Sequence, residues 1–214
     1  MKLAERTRRY LTKLTEAYRS GGVSGVFGVG AGTFGYLFHN YVFDSSEFIL
    51  LRHSGEEESI EPALVPITVR IIDSDYLDEI ARLNGFGTGS FQYRRLQRFF
   101  RLGNECFGAF HDGALICCGW GLHQADYYRA YALRIRPDPN EVVLSGAFTA
   151  PHFRGLHVRE CLLGHQINHY CSRGIYCIGA IHAANKASLR VYSRYHFDQY
   201  GTIRKLRILG FWVK

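Results

Sequence analysis

A short β-prone run, a turn and a helical segment follow one another in one stretch that ends at Arg173. The run is Val142–Thr149, the turn is Ala150–Gly155, and apolar residues recur at helical spacing over Leu156–Arg173. The first N–H groups of a helix have no acceptor within the helix, and the macrodipole adds partial positive charge there. A strand that turns directly into a helix is therefore a favourable anion site, around which the rest of the chain must fold.

The composition is that of a globular protein. The chain has 214 residues, of which 47% are hydrophobic and 21% are charged, and this length suits one domain with an extension. The net charge of +7 favours an anionic partner, which could be nucleic acid, a membrane surface or a phosphorylated ligand. The charge alone does not choose among these three.

The cysteines form no C-x-x-C pair, and no secretory signal peptide is evident. Neighbouring residues of a strand point to opposite faces, which disfavours a bond between Cys117 and Cys118. We therefore expect reduced, mostly buried thiols in a cytoplasmic protein. The six cysteines are Cys106, Cys117, Cys118, Cys161, Cys171 and Cys177.

Two histidines of the predicted helix have a spacing that could bind a metal. His165 and His169 lie one turn apart, and Cys161 lies one turn earlier. The inward stripe of this helix includes Leu163 and Ile167, so the histidines are expected to face solvent. We predict no metal site.

Residues 1–45 form a basic, glycine-rich extension. Lys2–Arg19 predicts a basic amphipathic helix, which either packs on the domain or lies on an anionic membrane surface. Ser20–Phe43 has no charged residue, but its seven glycines disfavour a transmembrane helix. Gly30–Gly35 matches G-x-G-x-x-G, yet no convincing helix follows, so a flexible connector is preferred to a dinucleotide site. The expected membrane contact is weak and involves residues 1–43.

The remaining patterns predict helices alternating with strands. Asp112-Gly113 between two apolar runs indicates a hairpin, and Asn185 can cap a helix over Lys186–Tyr195. The arginines of Phe91–Leu102 could bind nucleic acid, but an amphipathic helix with a basic outer face explains them as well, and nucleic acid is disfavoured. The result is a mixed α/β (α+β) fold with one sheet. The predicted strands outside the opening stretch are Glu47–His53, Val65–Ile72, Glu105–His111, Ala114–Leu122, Tyr127–Arg136, Ile175–His182, Phe197–Arg204 and Leu206–Val213.

Two local patterns resemble the GNAT superfamily of acyl-CoA-dependent N-acyltransferases. The first is Thr149–Gly155, which is similar to the V-x-P-x-x-R-G opening of the family's pyrophosphate loop. That loop then reads R/Q-x-x-G-x-G/A, and here His157 and Arg159 stand where small residues are usual. This version of the loop is degenerate, because the two side chains add bulk and positive charge beside the expected diphosphate.

The second pattern is Asn185–Ser188 with Tyr192 and Phe197 after it, which is similar to the N-x-x-S-x-x-x-Y/F segment of the penultimate family helix. His196 replaces the glycine that usually precedes Phe197. The resemblance covers about residues 47–214. It implies a GNAT-like domain over residues 46–214, with a mixed, mostly antiparallel sheet and helices on both faces.

The resemblance also implies a reaction and a site. The expected reaction is transfer of an acetyl or other acyl group from acyl-CoA to the amine of a small acceptor, a metabolite or an amino sugar. Tyr192 is the expected acid for the leaving thiolate. The residues expected to bind acetyl-CoA or another acyl-CoA are Phe148, Thr149, Arg154, Gly155, Leu156, His157, Val158, Arg159, Asn185 and Ser188.

The general base is less well defined by the sequence. Glu141 starts the central strand and is ranked first; Glu105, His111 and His123 come from other strands near the expected cleft. Water could also relay the proton, and then no single base is needed.

Alternative functions stay open at this point. One is a catalytically weak or inactive GNAT-fold module that binds CoA or another anionic ligand. The other is a membrane-surface or nucleic-acid binding protein that uses the basic N-terminal helix. We expect a cytoplasmic protein, with peripheral membrane contact as the variant, and the sequence is compatible with a homodimer.

Overall fold

The structure is a computed structural model that describes the backbone of residues 43–124, 126–128, 133–208 and 211–213. The predicted helix Lys2–Arg19, the uncharged Ser20–Phe43 segment and the Gly30–Gly35 motif lie outside the described residues, except for Phe43. The chain divides into two compact units. One consists of Met1–Ser46 with Arg204–Lys214, and the other is Glu47–Ile203.

The larger unit is built on a seven-stranded mixed sheet with the order β9-β1-β8-β7-β4-β3-β2. The registers of β1 with β8, β2 with β3, β3 with β4, and β4 with β7 are antiparallel, whereas β7 and β8 are parallel. This confirms the predicted mixed, mostly antiparallel sheet. The strands in the described part of the chain are β1 Phe43–His53, β2 Thr68–Ile72, β3 Glu105–His111, β4 Ala114–Leu122, β5 Asp126–Tyr128, β6 Leu133–Ile135, β7 Glu141–Thr149, β8 Tyr176–His182, β9 Phe197–Ile208 and β10 Phe211–Val213.

Within the described residues, four α-helices accompany the sheet: α1 Leu77–Leu83, α2 Phe91–Arg101, α3 Val158–Cys171 and α4 Lys186–Tyr192. Side-chain oxygens satisfy the N-terminal N–H groups of two of them. Ser90 Oγ accepts from the Tyr93 N–H at 3.0 Å, and Asn185 Oδ1 accepts from the Ser188 N–H at 3.1 Å. The predicted cap at Asn185 is confirmed, although α4 ends at Tyr192 and not at Tyr195.

The helices cover both faces of the sheet, as predicted. One core lies beneath α3 and α4 and contains the fully buried Leu162 and Ile167. The opposite core lies beneath α1 and α2, where Trp120 packs edge-on against Phe99 with ring centroids 5.1 Å apart. Each large apolar side chain buried in these layers stabilises the fold by about 1.5–3 kcal/mol. All six cysteines are free thiols, and adjacent Cys117 and Cys118 belong to opposite cores.

The short-range turn signal was sufficient for the central hairpin. Asp112 and Gly113 both have positive φ values, 47° and 79°, as a type I′ turn requires. The strand predicted over Tyr127–Arg136 is only partly described, as β5 and β6, which pair with each other in a separate two-stranded sheet. The strand boundary predicted near Lys205 is wrong, because β9 continues to Ile208 before pairing with β10.

Candidate active site

The two central parallel strands, β7 and β8, separate partway along β7. They pair at Glu141↔Tyr176, Val142↔Cys177 and Val143↔Ile178, and the ladder stops there. Beyond this point a cavity of about 650 Å³ opens between them. It is lined by Leu144, Ser145, Gly146, Ala147, Phe148, Thr149, Phe153, Arg154, Gly155, His157, Val158, Arg159, Glu160, Ala180, Ile181, His182, Asn185, Ala187, Ser188, Arg190, Val191 and Tyr192.

A β-bulge in β7 lies where the strands separate. β4 and β7 pair at Trp120↔Ser145 and next at Cys118↔Phe148, so β7 has two residues where β4 has one. The first of the two, Gly146, has φ 59°, a left-handed value that suits glycine. A bulge bends its strand and increases the local twist, so this one can account for the departure of β7 from β8.

Side-chain alternation along β7 records the same bulge. Before it, Val142 and Leu144 point into the core beneath α3. After it, Thr149 takes that side, with its Oγ1 atom 3.2 Å from Cys117 Sγ, while Phe148 packs against the opposite core. Because of the one extra residue, the side chains that follow the bulge point to the opposite faces from those that simple alternation would give.

The N-terminus of α3 borders the cavity without a side-chain cap. Its N-cap is His157, in the left-handed conformation with φ 56°, and Gly155 before it has φ 78°. The first intrahelical bond runs from the Cys161 N–H to the His157 carbonyl at 3.0 Å. The N–H groups of residues 158–160 are therefore the ones that helix geometry leaves available to an anion. His157 thus adopts a backbone conformation that glycine takes up more readily than any other residue.

We expect His157→Gly to raise the free energy of unfolding by about 0.5–1 kcal/mol, because glycine adopts the left-handed conformation without steric cost. Urea unfolding followed by circular dichroism measures the change. His157→Ala is the matched control, since it removes the imidazole and keeps the strain. Equal stabilities of the two variants would contradict the strain argument.

Charged side chains make the rim of the cavity predominantly basic. Arg154 Nε donates to the Thr149 carbonyl at 3.2 Å, and its guanidinium lies over the Phe148 ring at 5.5 Å from the centroid. Arg190 of α4 and Glu160 of α3 also line the cavity. The described lining thus carries the cations Arg154, Arg159 and Arg190 against the single carboxylate Glu160.

Arg159 extends along α3, away from the helix N-terminus. Its Nη1 donates to Gln166 Oε1 at 3.1 Å, two turns further along the helix. Burial raises the pKa of Cys117 to about 12, although the Arg159 guanidinium acts in the opposite direction. Because its guanidinium is bonded to Gln166, the Arg159 side chain does not fill the space beside the N–H groups of residues 158–160.

Tyr192 lies at the inner end of the cavity. Its hydroxyl donates to the Leu144 carbonyl at 3.2 Å, at the residue where β7 leaves β8. Gly179 of β8 makes room for the ring, because a Cβ there would lie 2.9 Å from Tyr192 Cε1. On the same helix, the cap uses Asn185 Oδ1, which leaves the Asn185 amide nitrogen to donate to a ligand.

Solved structures of other proteins share this architecture. No family model and no curated protein matches the sequence. Among solved structures, a GNAT-family acetyltransferase from Colwellia psychrerythraea has a TM-score of 0.56 and 15% identity, over 78% of this chain and 57% of that one. The fold is that of the GNAT superfamily. A GNAT-family protein from Novosphingobium aromaticivorans has a TM-score of 0.54 and 17% identity, over 75% of this chain and 63% of that one. A GCN5-related N-acetyltransferase-like protein from Streptococcus suis has a TM-score of 0.51 and 11% identity, over 82% of this chain and 66% of that one.

Within this GNAT fold, most of the residues predicted to bind acyl-CoA line one cavity. The exception is Leu156, which packs against the core and accepts a hydrogen bond from the Leu64 N–H at 3.0 Å. Thr149 lines the cavity through its backbone, because its side chain faces Cys117. The chain covers less than two thirds of the length of the structures from Colwellia and Novosphingobium.

The structure does not bring Glu141 to the cavity. It lies at the paired end of β7, where its Oε1 is 3.4 Å from Arg52 Nη2 and its Oε2 accepts from the Asp138 N–H at 3.1 Å. Glu105 and His123 lie at the same end of the sheet, 3.3 Å from each other. The physical reason is strand direction: these residues begin β3 and β7 or follow β4, whereas the cavity opens at the other end of β7.

His111 lies at the other end of the sheet but outside the cavity lining. Its Nδ1 contacts the Pro66 carbonyl at 2.7 Å, and its ring packs against Phe153 at 5.4 Å. Among the residues that the structure describes, no group of three or more His, Cys, Asp or Glu side chains could hold a metal ion. No described helix is long and apolar enough to cross a membrane.

Several cavity residues were not predicted from the sequence. Gly146 could have been found, because an isolated glycine in a β-prone run often marks a bulge. His182 ends β8 and accepts from the Ala184 N–H through Nδ1 at 3.1 Å, but no local motif distinguishes it. Glu160 and Arg190 are likewise ordinary helix-surface residues in the sequence.

Proposed function

We propose that this chain transfers an acetyl or other acyl group from acyl-CoA to the amine of a small acceptor. The observation that carries the proposal is the cavity between β7 and β8, which has an uncapped helix N-terminus at its rim and the Tyr192 hydroxyl at its inner end. Its volume of about 650 Å³ suits the thioester end of a cofactor-sized ligand. The fold alone would not decide the function, because one fold hosts many activities.

In this proposal the diphosphate of acyl-CoA binds the N–H groups of residues 158–160, with Arg154 nearby. The pantetheine arm lies along the part of β7 that has left β8, as an added strand would. Asn185 donates its amide to this arm. His157 supplies the bend of the loop, and its imidazole is 4.0 Å from Glu61.

The acceptor nitrogen attacks the thioester carbonyl carbon, and backbone N–H groups of the bulge region stabilise the oxyanion. The carbon–sulfur bond then breaks. The leaving thiolate takes the proton of the Tyr192 hydroxyl, which turns from the Leu144 carbonyl of β7 to donate it. We assign the amine proton to a water relay, because Glu141 lies at the other end of the strand.

The test combines the purified chain, acetyl-CoA and a panel of primary amines, with free CoA quantified by chromatography. Chromatography is needed because the protein itself carries free thiols, of which the partly exposed Cys171 would react with a thiol-reactive dye. Amine-dependent CoA release supports the proposal. The second candidate is a non-catalytic CoA-binding module, which the position of Glu141 outside the cavity favours. Binding of CoA to the chain without amine-dependent CoA release from acetyl-CoA would support this second candidate.

Arg154→Ala is expected to weaken CoA binding about fivefold, because one exposed cation beside a diphosphate contributes about 1 kcal/mol. Isothermal titration at fixed salt measures the affinity. Arg101→Ala removes an exposed charge from α2, outside the cavity lining, and should leave the dissociation constant unchanged. If both variants weaken binding equally, the effect comes from net charge and not from the site.

A further inference from the structure

A second group of reactive side chains lies at the C-terminal end of α3, away from the cavity lining. Its members are Cys171, the buried Cys177 of β8, His53 of β1 and Glu58. His53 is 1% exposed and lies between a thiol and a carboxylate. Its Nδ1 is 3.6 Å from Cys171 Sγ, and its Nε2 is 2.8 Å from Glu58 Oε1.

The hydrogen bonds define the tautomer of His53. The Gly55 N–H donates to Nδ1 at 3.2 Å, so Nδ1 is the acceptor nitrogen. Nε2 therefore carries the hydrogen and donates it to Glu58. The unprotonated nitrogen faces the Cys171 thiol, and this is the arrangement in which an imidazole activates a nucleophile.

Glu58 is held firmly in this arrangement. Its Oε1 also accepts from the His196 N–H at 2.7 Å, and its backbone exchanges two hydrogen bonds with the Asn168 side chain at 2.7 and 2.9 Å. Burial alone would raise the pKa of Glu58, but the hydrogen bonds from His196 and His53 outweigh it and lower the pKa. The Glu58 carboxylate thus stays charged next to the His53 imidazole.

The two cysteines differ in access and in acidity. Cys171 is partly exposed, whereas Cys177 is fully buried next to it. A hydrogen bond from the Cys177 thiol, followed by the contact with His53, lowers the pKa of Cys171 to about 6, while the same interaction raises the pKa of Cys177. Cys171 is thus the more acidic and the more accessible of the two thiols.

We propose that Cys171 is a site of oxidation by hydroperoxides and that Cys177 closes the product to a disulfide. The Cys171 thiolate attacks the terminal peroxide oxygen, the O–O bond breaks, and the departing alkoxide or hydroxide takes a proton. Cys171 becomes a sulfenic acid. The Cys177 sulfur then attacks the Cys171 sulfur, the S–O bond breaks, and hydroxide leaves with the proton of Cys177 as water. Two thiols are oxidised to a disulfide, and the peroxide is reduced to an alcohol or water.

The test exposes the full-length chain at pH 7 to a small molar excess of hydrogen peroxide. Free thiols are then blocked, and the peptides are separated by mass spectrometry without reduction. Cys161, a buried thiol of the same helix whose pKa is raised by burial, is the internal comparator. We expect Cys171 to oxidise at least about tenfold faster than Cys161 and to appear in a peptide linked to Cys177.

Two variants separate the steps. In Cys177→Ser the sulfenic acid should persist and be trapped by dimedone, and in Glu58→Gln the oxidation of Cys171 should slow about threefold or more. The wild-type measurement stands even if a variant fails to fold. Oxidation of Cys171 at the rate of Cys161, or linkage of Cys171 to another cysteine, would overturn the proposal. The result does not depend on whether the chain binds CoA.

Discussion

Replacing Tyr192 by phenylalanine is expected to lower the turnover of acyl transfer by about 100-fold or more while leaving CoA affinity nearly unchanged. General acid catalysis by a positioned side chain typically contributes about 10²–10⁴-fold, and the variant removes only the hydroxyl that would protonate the leaving thiolate. The lost hydrogen bond to Leu144 should cost about 1 kcal/mol of stability, which leaves the fold intact. Steady-state kinetics and titration with CoA separate the two effects.

Two further variants show whether the hydroxyl or the ring matters. Gly179→Ala keeps the hydroxyl but places a Cβ 2.9 Å from the Tyr192 ring, so it should displace the hydroxyl and also lower turnover. Tyr170→Phe alters a fully buried tyrosine outside the described cavity lining and should not change turnover of the folded protein. Full turnover by Tyr192→Phe would remove this residue as the required acid.

Gly146→Val is expected to weaken CoA binding by more than about tenfold and to lower the free energy of unfolding by about 1–3 kcal/mol. Valine disfavours the left-handed φ of 59°, and its Cβ would lie 3.1 Å from Trp120 Cδ1. Either the bulge rearranges, which returns β7 toward β8 and narrows the cavity, or the strain persists. Titration with CoA and urea unfolding measure the two consequences.

Gly87→Val is the matched control for this substitution. Gly87 is an exposed loop glycine, and a Cβ there would meet no atom within 4 Å. It should therefore change neither binding nor stability appreciably. If Gly146→Val binds CoA as the wild type does, the bulge does not form the binding edge.

Local signals in the sequence were sufficient for the elements that build the site. Ala150–Gly155 predicted the turn, Asp112-Gly113 predicted the hairpin, and Asn185 predicted the cap of α4. Each of these depends on contacts between residues close in sequence, where turn and capping chemistry act directly. The mixed sheet followed from the order of the elements, and the structure confirms it.

What local signals could not provide was the position of each residue along the sheet. Alternation identifies the face of a strand but not the point where its neighbour leaves it, because that depends on pairing with a distant strand. Glu141 was ranked as the base for being on the central strand, yet it lies where β7 and β8 still pair. Nor did the sequence show that His157 adopts the left-handed conformation, with φ 56°, in this loop.

The most direct test of the proposed site is titration of the full-length chain with CoA, compared with an Ala187→Trp variant. Ala187 is an exposed residue of α4 that lines the cavity, so a tryptophan there fills the space without cutting into a core. The account predicts one site with a dissociation constant of about 1–100 μM, in the usual range for enzyme substrates, and loss of binding in the variant. No binding to the wild type, or equal affinity of the wild type and the variant, would contradict it.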